Sequence, residues 1–293
     1  MASLKEVRNR IVSVNSTQQI TKAMKMVSAA KLRRATDAIT QMRPYAKKLA
    51  EMIATVSAKT EAGQENVFTQ VRPVNNVLIL VVTSDRGLCG AFNANIGKAT
   101  IALIQEKYAD LHAAGKVEVL TLGKKGAEYL GRRGYKLNTA HTEIFSGLNF
   151  NKVRVVGDEI LADFAAGKYD VVELVFNEFK NVATQIIRTE QLLPLQESAD
   201  SSTSASNVDY IFEPSEEQII NELIPKSVKL SVFRALLESN ASEHGARMTA
   251  MDKATDNAGE LIKALKLEYN RSRQAAITKE ILEIVGGAEA LSA

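Results

Sequence analysis

A long segment near the C-terminus, free of helix-breaking residues, constrains the fold more than any other feature. Between residues 226 and 291 there is no proline, and glycine occurs only at Gly245 and Gly259 before the pair Gly286 and Gly287. Apolar or small residues recur there in steps of three and four, the spacing of one face of a coiled-coil helix. They are Leu230, Phe233, Leu237, Met248, Met251, Thr255, Ala258, Ile262, Leu265 and Tyr269. A helix from Val228 to Val285 would be roughly 85 Å long, so it needs a partner helix.

The N-terminal segment from Ser3 to Val56 is the predicted partner. It lacks glycine, and we expect its one proline, Pro44, to kink or loosen the helix without ending it. One apolar run with this spacing is Leu4, Val7, Ile11 and Val14, and a second is Ile39, Met42, Ala46, Leu49, Ile53 and Val56. Between the two runs lie Ile20, Met24 and Val27, and then the small residues Ala29, Ala30, Ala35 and Ala38.

The middle of the chain alternates between strand and helix patterns. Residues 77–83 form a continuous apolar run rich in β-branched side chains, which is typical of a buried parallel strand. Further strands are predicted at 117–122, 169–176, 184–192 and 210–212, and helices at about 94–112, 124–133 and 151–166. This order predicts a Rossmann-like α/β domain with a mostly parallel sheet. The polar tract at 198–206 is predicted to be a loop.

These segments define a three-part organisation. We expect an N-terminal coiled-coil helix at 1–58, a central α/β domain at 74–212 and a C-terminal coiled-coil helix at 213–293, bent near its start by Pro225. Because both long helices attach to the same domain, they must run antiparallel when they pair. The expected fold is an antiparallel two-helix coiled coil joined to an α/β domain.

Charge and cysteine usage narrow the class of protein. The net charge is +3, but residues 1–56 carry 11 Lys or Arg against three acidic residues, so the first helix is strongly basic. The N-terminus lacks the apolar stretch of a signal peptide, and the longest apolar run is too short to cross a membrane. A single cysteine, Cys89, excludes an internal disulfide and favours a reducing compartment.

Three groups of motifs, in this order along the chain, resemble the signatures of a known family, the gamma subunits of F-type ATP synthase. The N-terminal motif comprises residues 20–27 and 30–33, and the central motif residues 83–90. The C-terminal motif comprises residues 243–248, 251, 254–258, 267–281 and 283–286. The resemblance spans the whole chain, with weaker signals between residues 117 and 207.

The resemblance implies a mechanical role. The chain would be a central rotor shaft that couples proton-driven rotation of a c-subunit ring to conformational cycling of the catalytic beta subunits. Its implied partners are the hexamer of alpha and beta subunits, the epsilon subunit and the c ring. It would lie at the cytoplasmic face of the inner membrane and reach the membrane only through partners. Catalysis would occur on beta, so no cofactor, metal or catalytic residue is expected on this chain.

The same resemblance implies partner-contact residues in three places. Those of the first helix are Lys22, Met24, Lys25, Lys31, Arg33 and Arg34, and the central motif adds Arg86. Those of the last helix are Arg271, Arg273, Gln274, Thr278 and Glu280. The apolar pattern past Tyr269 changes register, through Ile277, Ile281, Ile284, Ala288 and Leu291, with Leu282 and Val285 beside them. A helix that is apolar over this much of its circumference must be enclosed.

Two other classes of function are weaker. A nucleic-acid binder would use the basic first helix, but residues 1–44 contain no aromatic side chain for stacking. A hydrolase would need a catalytic group on the α/β domain, and we interpret Cys89 as a buried packing residue.

Several short motifs have ordinary structural interpretations. The segment from Gly123 to Gly126 follows a strand but lacks the spacing of a phosphate-binding loop. The adjacent Asp85 and Arg86 are interpreted as a loop-ordering salt bridge or a partner contact. His112, His141 and His244 lack metal-ligand spacing.

Overall fold

The structure is a computed structural model that describes residues 4–59, 66–195 and 216–292. The helices are α1 (Leu4–Lys59), α2 (Phe92–Lys107), α3 (Ala109–Ala113), α4 (Lys124–Gly131), α5 (Phe150–Ala165) and α6 (Glu216–Ser292). The strands are β1 (Val77–Val82), β2 (Val117–Leu122), β3 (Leu137–Asn138), β4 (Val171–Phe179) and β5 (Gln185–Leu193). The predicted strand at 210–212 and the polar tract at 198–206 lie outside the described residues.

The five strands form one sheet in the order β3-β2-β1-β4-β5. β1 pairs in parallel with β2, where Val77 is opposite Val117, and with β4, where Val77 is opposite Val171. β3 is also parallel, and only β5 runs antiparallel to its neighbour β4. The prediction of an α/β fold with a mostly parallel sheet is therefore confirmed.

Both faces of the sheet are covered by helices, which explains why every residue of β1 is buried. Leu78, Leu80 and Val82 face the side that packs against α5 and the early part of α6. The alternate residues of β1 face the opposite side, which packs against α2 and α4. Because successive side chains of a strand point to opposite faces, a strand covered on both sides is a continuous apolar run.

One predicted helix is divided in the structure. The segment predicted as a single helix at 94–112 forms α2 and α3, separated at Tyr108, whose φ of −131° is outside the helical range. The Tyr108 side chain is buried, and its hydroxyl donates to Glu173 of β4 at 2.7 Å. This anchoring of the ring in the core accompanies the break in the helix.

The chain divides into two compact units. The coiled-coil unit comprises residues 1–28 and 248–293, and the sheet unit comprises residues 29–247. Within the sheet unit, α1 buries Leu32, Ala35, Ile39 and Leu49. α1 continues through Pro44, as predicted, and α6 continues through Pro225. The three-part division at 1–58, 74–212 and 213–293 stays a prediction.

Within the coiled-coil unit, the inward-facing positions of α6 match the predicted ones. Met251, Ala258 and Leu265 are buried, and the positions between them are half-buried. The same alternation of three and four residues continues past Tyr269 to the half-buried Ser272 and Ala276. The coiled-coil seam of α6 is thus confirmed, and it extends two positions beyond the predicted end.

Candidate partner-contact site

In the coiled-coil unit, polar contacts establish the direction of the two long helices. Lys25 of α1 forms an ion pair with Asp252 of α6. Thr255 donates to the hydroxyl of Thr21 at 2.8 Å, and the Gln18 amide donates to the Thr255 carbonyl at 3.3 Å. Residue numbers fall along α1 as they rise along α6, so the helices are antiparallel, as predicted.

The middle of the α1 seam is polar, which differs from the apolar pattern of the sequence. Gln18, Thr21, Lys25 and Ser28 are the inward positions there, because they continue the three-and-four alternation that begins at Leu4, Val7, Ile11 and Val14. Of the apolar residues Ile20, Met24 and Val27 between the two predicted runs, Met24 is half-buried, but Ile20 is 60% exposed and Val27 is 57% exposed. The first helix therefore presents apolar side chains to the exterior alongside the basic Lys22.

The C-terminal part of α6 has no described covering. Every residue from 277 to 288 is exposed, although Ile277, Ile281, Leu282, Ile284 and Val285 are large and apolar. Exposed apolar patches of this kind mark interaction sites in soluble proteins. Up to residue 288, the predicted apolar tip is thus an exposed surface of the coiled-coil unit.

In the sheet unit, the central motif forms a tightly held loop after β1. The Ser84 amide donates to Asn93 at 2.9 Å, and the Ser84 hydroxyl donates to the Arg86 carbonyl at 2.7 Å. The guanidinium of Arg247, on α6, donates to the carbonyls of Arg86 at 3.0 Å and Gly87 at 3.2 Å. Backbone carbonyls that point inward to these donors leave the side chain of Arg86 exposed to solvent.

The same loop presents a leucine in an unusual conformation. Leu88 has a φ of 65°, a left-handed value that side chains other than glycine adopt at an energetic cost, and its side chain is 65% exposed. Such a conformation persists only where surrounding contacts fix it, and it is common at functional sites. Sequence analysis missed Leu88, since neither its type nor its neighbours reveal a positive φ.

Behind the loop lies a buried cluster of titratable side chains. Arg247 forms an ion pair with Glu243, and burial raises the pKa of Glu243 while Arg247 opposes that change. Burial, with the charges of Arg247 and Lys31, lowers the pKa of His244 to about 4. Cys89 is buried and its pKa is raised by burial, so the thiol stays protonated, as the interpretation of a packing residue requires.

The edge of the sheet where doubly wound folds bind phosphates is filled by the protein itself. The first three backbone amides of α4 each donate a hydrogen bond to the end of β1 or the loop after it. Lys124 donates to the Asp85 carboxylate at 3.3 Å, and Lys125 donates to the Ser84 carbonyl at 3.0 Å. Gly126 donates to the Thr83 hydroxyl at 2.8 Å. Helix N-terminal amides are the groups that would hold a phosphate. Here these three are already occupied by internal acceptors.

This arrangement also explains the glycines and the acidic residue of the motif. A Cβ at Gly123 would lie 2.2 Å from the carbonyl oxygen of Thr83, and one at Gly126 would lie 2.8 Å from its hydroxyl oxygen. The glycines therefore permit close packing of helix against strand. Asp85 orders the loop by accepting a hydrogen bond from the amide of Lys124. A partner contact by Asp85 and Arg86, the other interpretation of this pair, stays a prediction.

The predicted contact residues are mostly exposed within their own units. In the coiled-coil unit Lys22 is exposed, Met24 is half-buried, and Lys25 is already paired with Asp252. The predicted contact residues of α6 in that unit are all exposed: Arg271, Arg273, Gln274, Thr278 and Glu280. The predicted contact residues of the sheet unit are also exposed: Lys31, Arg33, Arg34 and Arg86.

The histidines and acidic residues of the described part of the chain have ordinary structural surroundings. In that part of the chain, no group of three or more His, Cys, Asp or Glu side chains is placed to hold a metal ion. His112 stacks on Tyr135, and His141 lies 2.6 Å from Glu159. No helix within the described ranges is long and apolar enough to cross a membrane.

Comparison with known proteins identifies the family. A family model described as ATP synthase matches residues 3–291. The chain is 62% identical to an ATP synthase gamma chain of Cytophaga hutchinsonii over 294 residues, with 100% of both chains covered. This chain belongs to the ATP synthase gamma-subunit family. A gamma chain of Flavobacterium johnsoniae is 54% identical, again over the whole of both chains.

Solved structures support the fold of this gamma-subunit family member. A chain from the Tetrahymena thermophila mitochondrial ATP synthase, described as central stalk and c ring, has a TM-score of 0.57 at 28% identity and covers 80% of this chain and 99% of that one. A chain from the Euglena gracilis mitochondrial enzyme has a TM-score of 0.66 at 20% identity, covering 98% and 94%. The second similarity concerns the fold alone.

Proposed function

We infer that this chain is the central rotor shaft of a proton-driven ATP synthase. The observation that carries the proposal is the end of α6, where twelve consecutive exposed residues, 277–288, include five large apolar side chains. Exposed apolar surface of this extent on a helix marks a site that another protein covers. Apolar contact is non-directional, so an enclosing sleeve of alpha and beta subunits would hold this end while allowing it to turn.

The shaft would act by position and carry no catalytic group. Rotation of the c ring would turn the chain, and its asymmetric surface would drive each beta subunit through its nucleotide states for ATP synthesis or, in reverse, for hydrolysis. The further partners in this proposal are the epsilon subunit and the c ring. The chain would be peripheral, at the cytoplasmic face of the inner membrane, and would contact the membrane only through those partners.

The predicted contact residues would transmit torque to the beta subunits through many weak contacts. Lys22, Lys31, Arg33 and Arg34 are exposed cations that suit acidic segments of the beta subunits, and Arg86 with Leu88 adds a rigid contact on the loop after β1. An exposed ion pair contributes only about 0–1 kcal/mol, so no single pair should be essential. Lys25 would contribute less because Asp252 already neutralises it.

The proposal is tested by reconstitution with ATP synthase alpha and beta subunits. We expect the purified chain to co-elute with them in about a 1:3:3 ratio, one shaft in a threefold ring, and the assembled complex to hydrolyse ATP. A chain that hydrolyses ATP alone, or that binds duplex DNA with a steep salt dependence and ignores both subunits, would refute the rotor role.

A further inference from the structure

One buried carboxylate in the sheet unit joins three separate elements. Glu238 lies on α6, and its side chain is only 4% exposed. One carboxylate oxygen accepts from the Nε of Arg43, on α1, at 3.1 Å and from its Nη2 at 2.9 Å. The other oxygen accepts from the backbone amide of Phe179, at the end of β4, at 3.0 Å. Arg43 also reaches the Phe179 carbonyl at 3.4 Å, so each element contacts the other two.

These contacts are directional in a way that the neighbouring apolar packing is not. The nearby α1 side chains of Ile39 and Leu49 are buried apolar groups, which resist exposure to water but fix no particular angle. Hydrogen bonds between a guanidinium and a carboxylate are short, strong and restricted in geometry. The contacts of Arg43 and Glu238 therefore limit sliding and twisting of α1 against α6 and the sheet.

The contact between Arg43 and Glu238 lies beside the point where α1 lacks an internal hydrogen bond. Pro44 follows Arg43 directly inside the helix and has no amide hydrogen to donate to the carbonyl one turn earlier. A helix that transmits torque is most easily deformed at such a turn. An external anchor at the adjacent residue compensates for the missing bond.

We propose that Arg43 and Glu238 form a torsional brace that positions both long helices against the sheet when the chain works under load. The inference rests on the proposed rotor function. It assigns these residues a positioning role, since they act through the helices and contact no substrate. The brace matters little when the shaft turns freely, and it matters most when proton-motive force opposes or drives rotation.

The test compares loaded and unloaded activity of the assembled ATP synthase in membrane vesicles. Arg43→Met keeps the length and apolar stem of the side chain but removes every donor. We expect ATP synthesis and ATP-driven proton pumping to fall by about tenfold, because two charge-assisted hydrogen bonds to Glu238 are lost and the half-exposed guanidinium weakens each of them. Unloaded ATP hydrolysis in detergent should stay within about twofold of wild type.

The matched control is Arg234→Met in the same unit. Arg234 pairs with Glu190 at 2.5 Å and joins α6 to β5, but this ion pair does not involve α1. Its loss should leave the ratio of loaded to unloaded activity unchanged. An equal fall in that ratio for both variants would overturn the brace, because the loss of an ion pair that does not involve α1 would then lower loaded activity just as much.

Two further variants separate positioning from stability. The double variant Arg43→Met with Glu238→Gln removes both charges and keeps a side-chain oxygen that can accept from the Phe179 amide, so thermal stability should largely recover while loaded activity stays low. Arg43→Lys keeps the charge and serves if Arg43→Met does not assemble; we expect a smaller fall in the same ratio. An unchanged ratio in an assembled enzyme refutes the brace, whereas a wild-type chain that never assembles refutes the rotor function instead.

Discussion

The pKa of His244 depends on the buried charges behind the loop after β1. It is buried beside Arg247 and within the field of Lys31, and its pKa is lowered to about 4. The unfolded chain would protonate this histidine near pH 6.5, so below that pH the unfolded state binds more protons than the folded state. We therefore expect the free energy of unfolding to fall as pH decreases from about 6.5 to about 4, by at most about 3 kcal/mol.

The measurement is urea unfolding of the wild type and of His244→Gln across that pH range. Glu243, on the same turn of α6, has a raised pKa and contributes the opposite slope above pH 4.5. The difference between the two proteins isolates the histidine, because Glu243 is present in both. Equal pH profiles for the two proteins would show that His244 is not held neutral.

At the scale of the element, the long helices show what an apolar pattern can and cannot reveal. The α6 seam could be predicted because its inward residues are nearly all apolar or small. The α1 seam could not be read between Gln18 and Ser28, where the inward positions are polar and the apolar Ile20 and Val27 lie outside. The flanking apolar residues determine which side of that segment faces α6. The apolar residues within the segment would predict the wrong side.

Two leucines on α6 provide a matched test of this seam. Leu265 is 3% exposed at an inward position, whereas Leu267, two residues later, is 62% exposed. Leu265→Ala should destabilise the coiled-coil unit by about 2–3 kcal/mol through lost burial and a residual cavity. Leu267→Ala should change stability by less than about 0.5 kcal/mol. Denaturant unfolding followed by far-ultraviolet circular dichroism measures both, and comparable losses would contradict the assigned seam.

At the scale of the whole molecule, the sequence predicted the class of fold and the type of surface better than the connections between elements. Continuous apolar runs and three-and-four spacing depend on local sequence, and they predicted the sheet and both long helices. The brace at Glu238 and the loop anchored by Arg247 join residues far apart in the chain, so no local pattern indicates them. Likewise, the acceptors that fill the N-terminus of α4 become apparent only once β1 and α4 are packed together.

The exposed end of α6 allows the enclosing partner to be tested directly. Ile281 and Ile284 are 54% and 70% exposed, so replacing both with serine removes little packing from the free chain. We expect Ile281→Ser with Ile284→Ser to leave thermal stability of the isolated chain within about 0.5 kcal/mol of wild type. Assembly with alpha and beta should weaken by roughly tenfold or more, because an enclosed isoleucine side chain contributes about 1.5–3 kcal/mol.

The control for this pair lies on the same stretch of helix. Lys279 and Glu283 are exposed and form a weak ion pair one turn apart, so Lys279→Ser with Glu283→Ser removes polar side chains of similar reach. Titration of the hexamer of alpha and beta subunits with each variant measures its binding affinity. The two affinities show whether loss of apolar or of polar side chains weakens binding. If the serine variants at Ile281 and Ile284 bound as tightly as wild type, these apolar side chains would not be enclosed, and the end of α6 could not be the axle of a rotor.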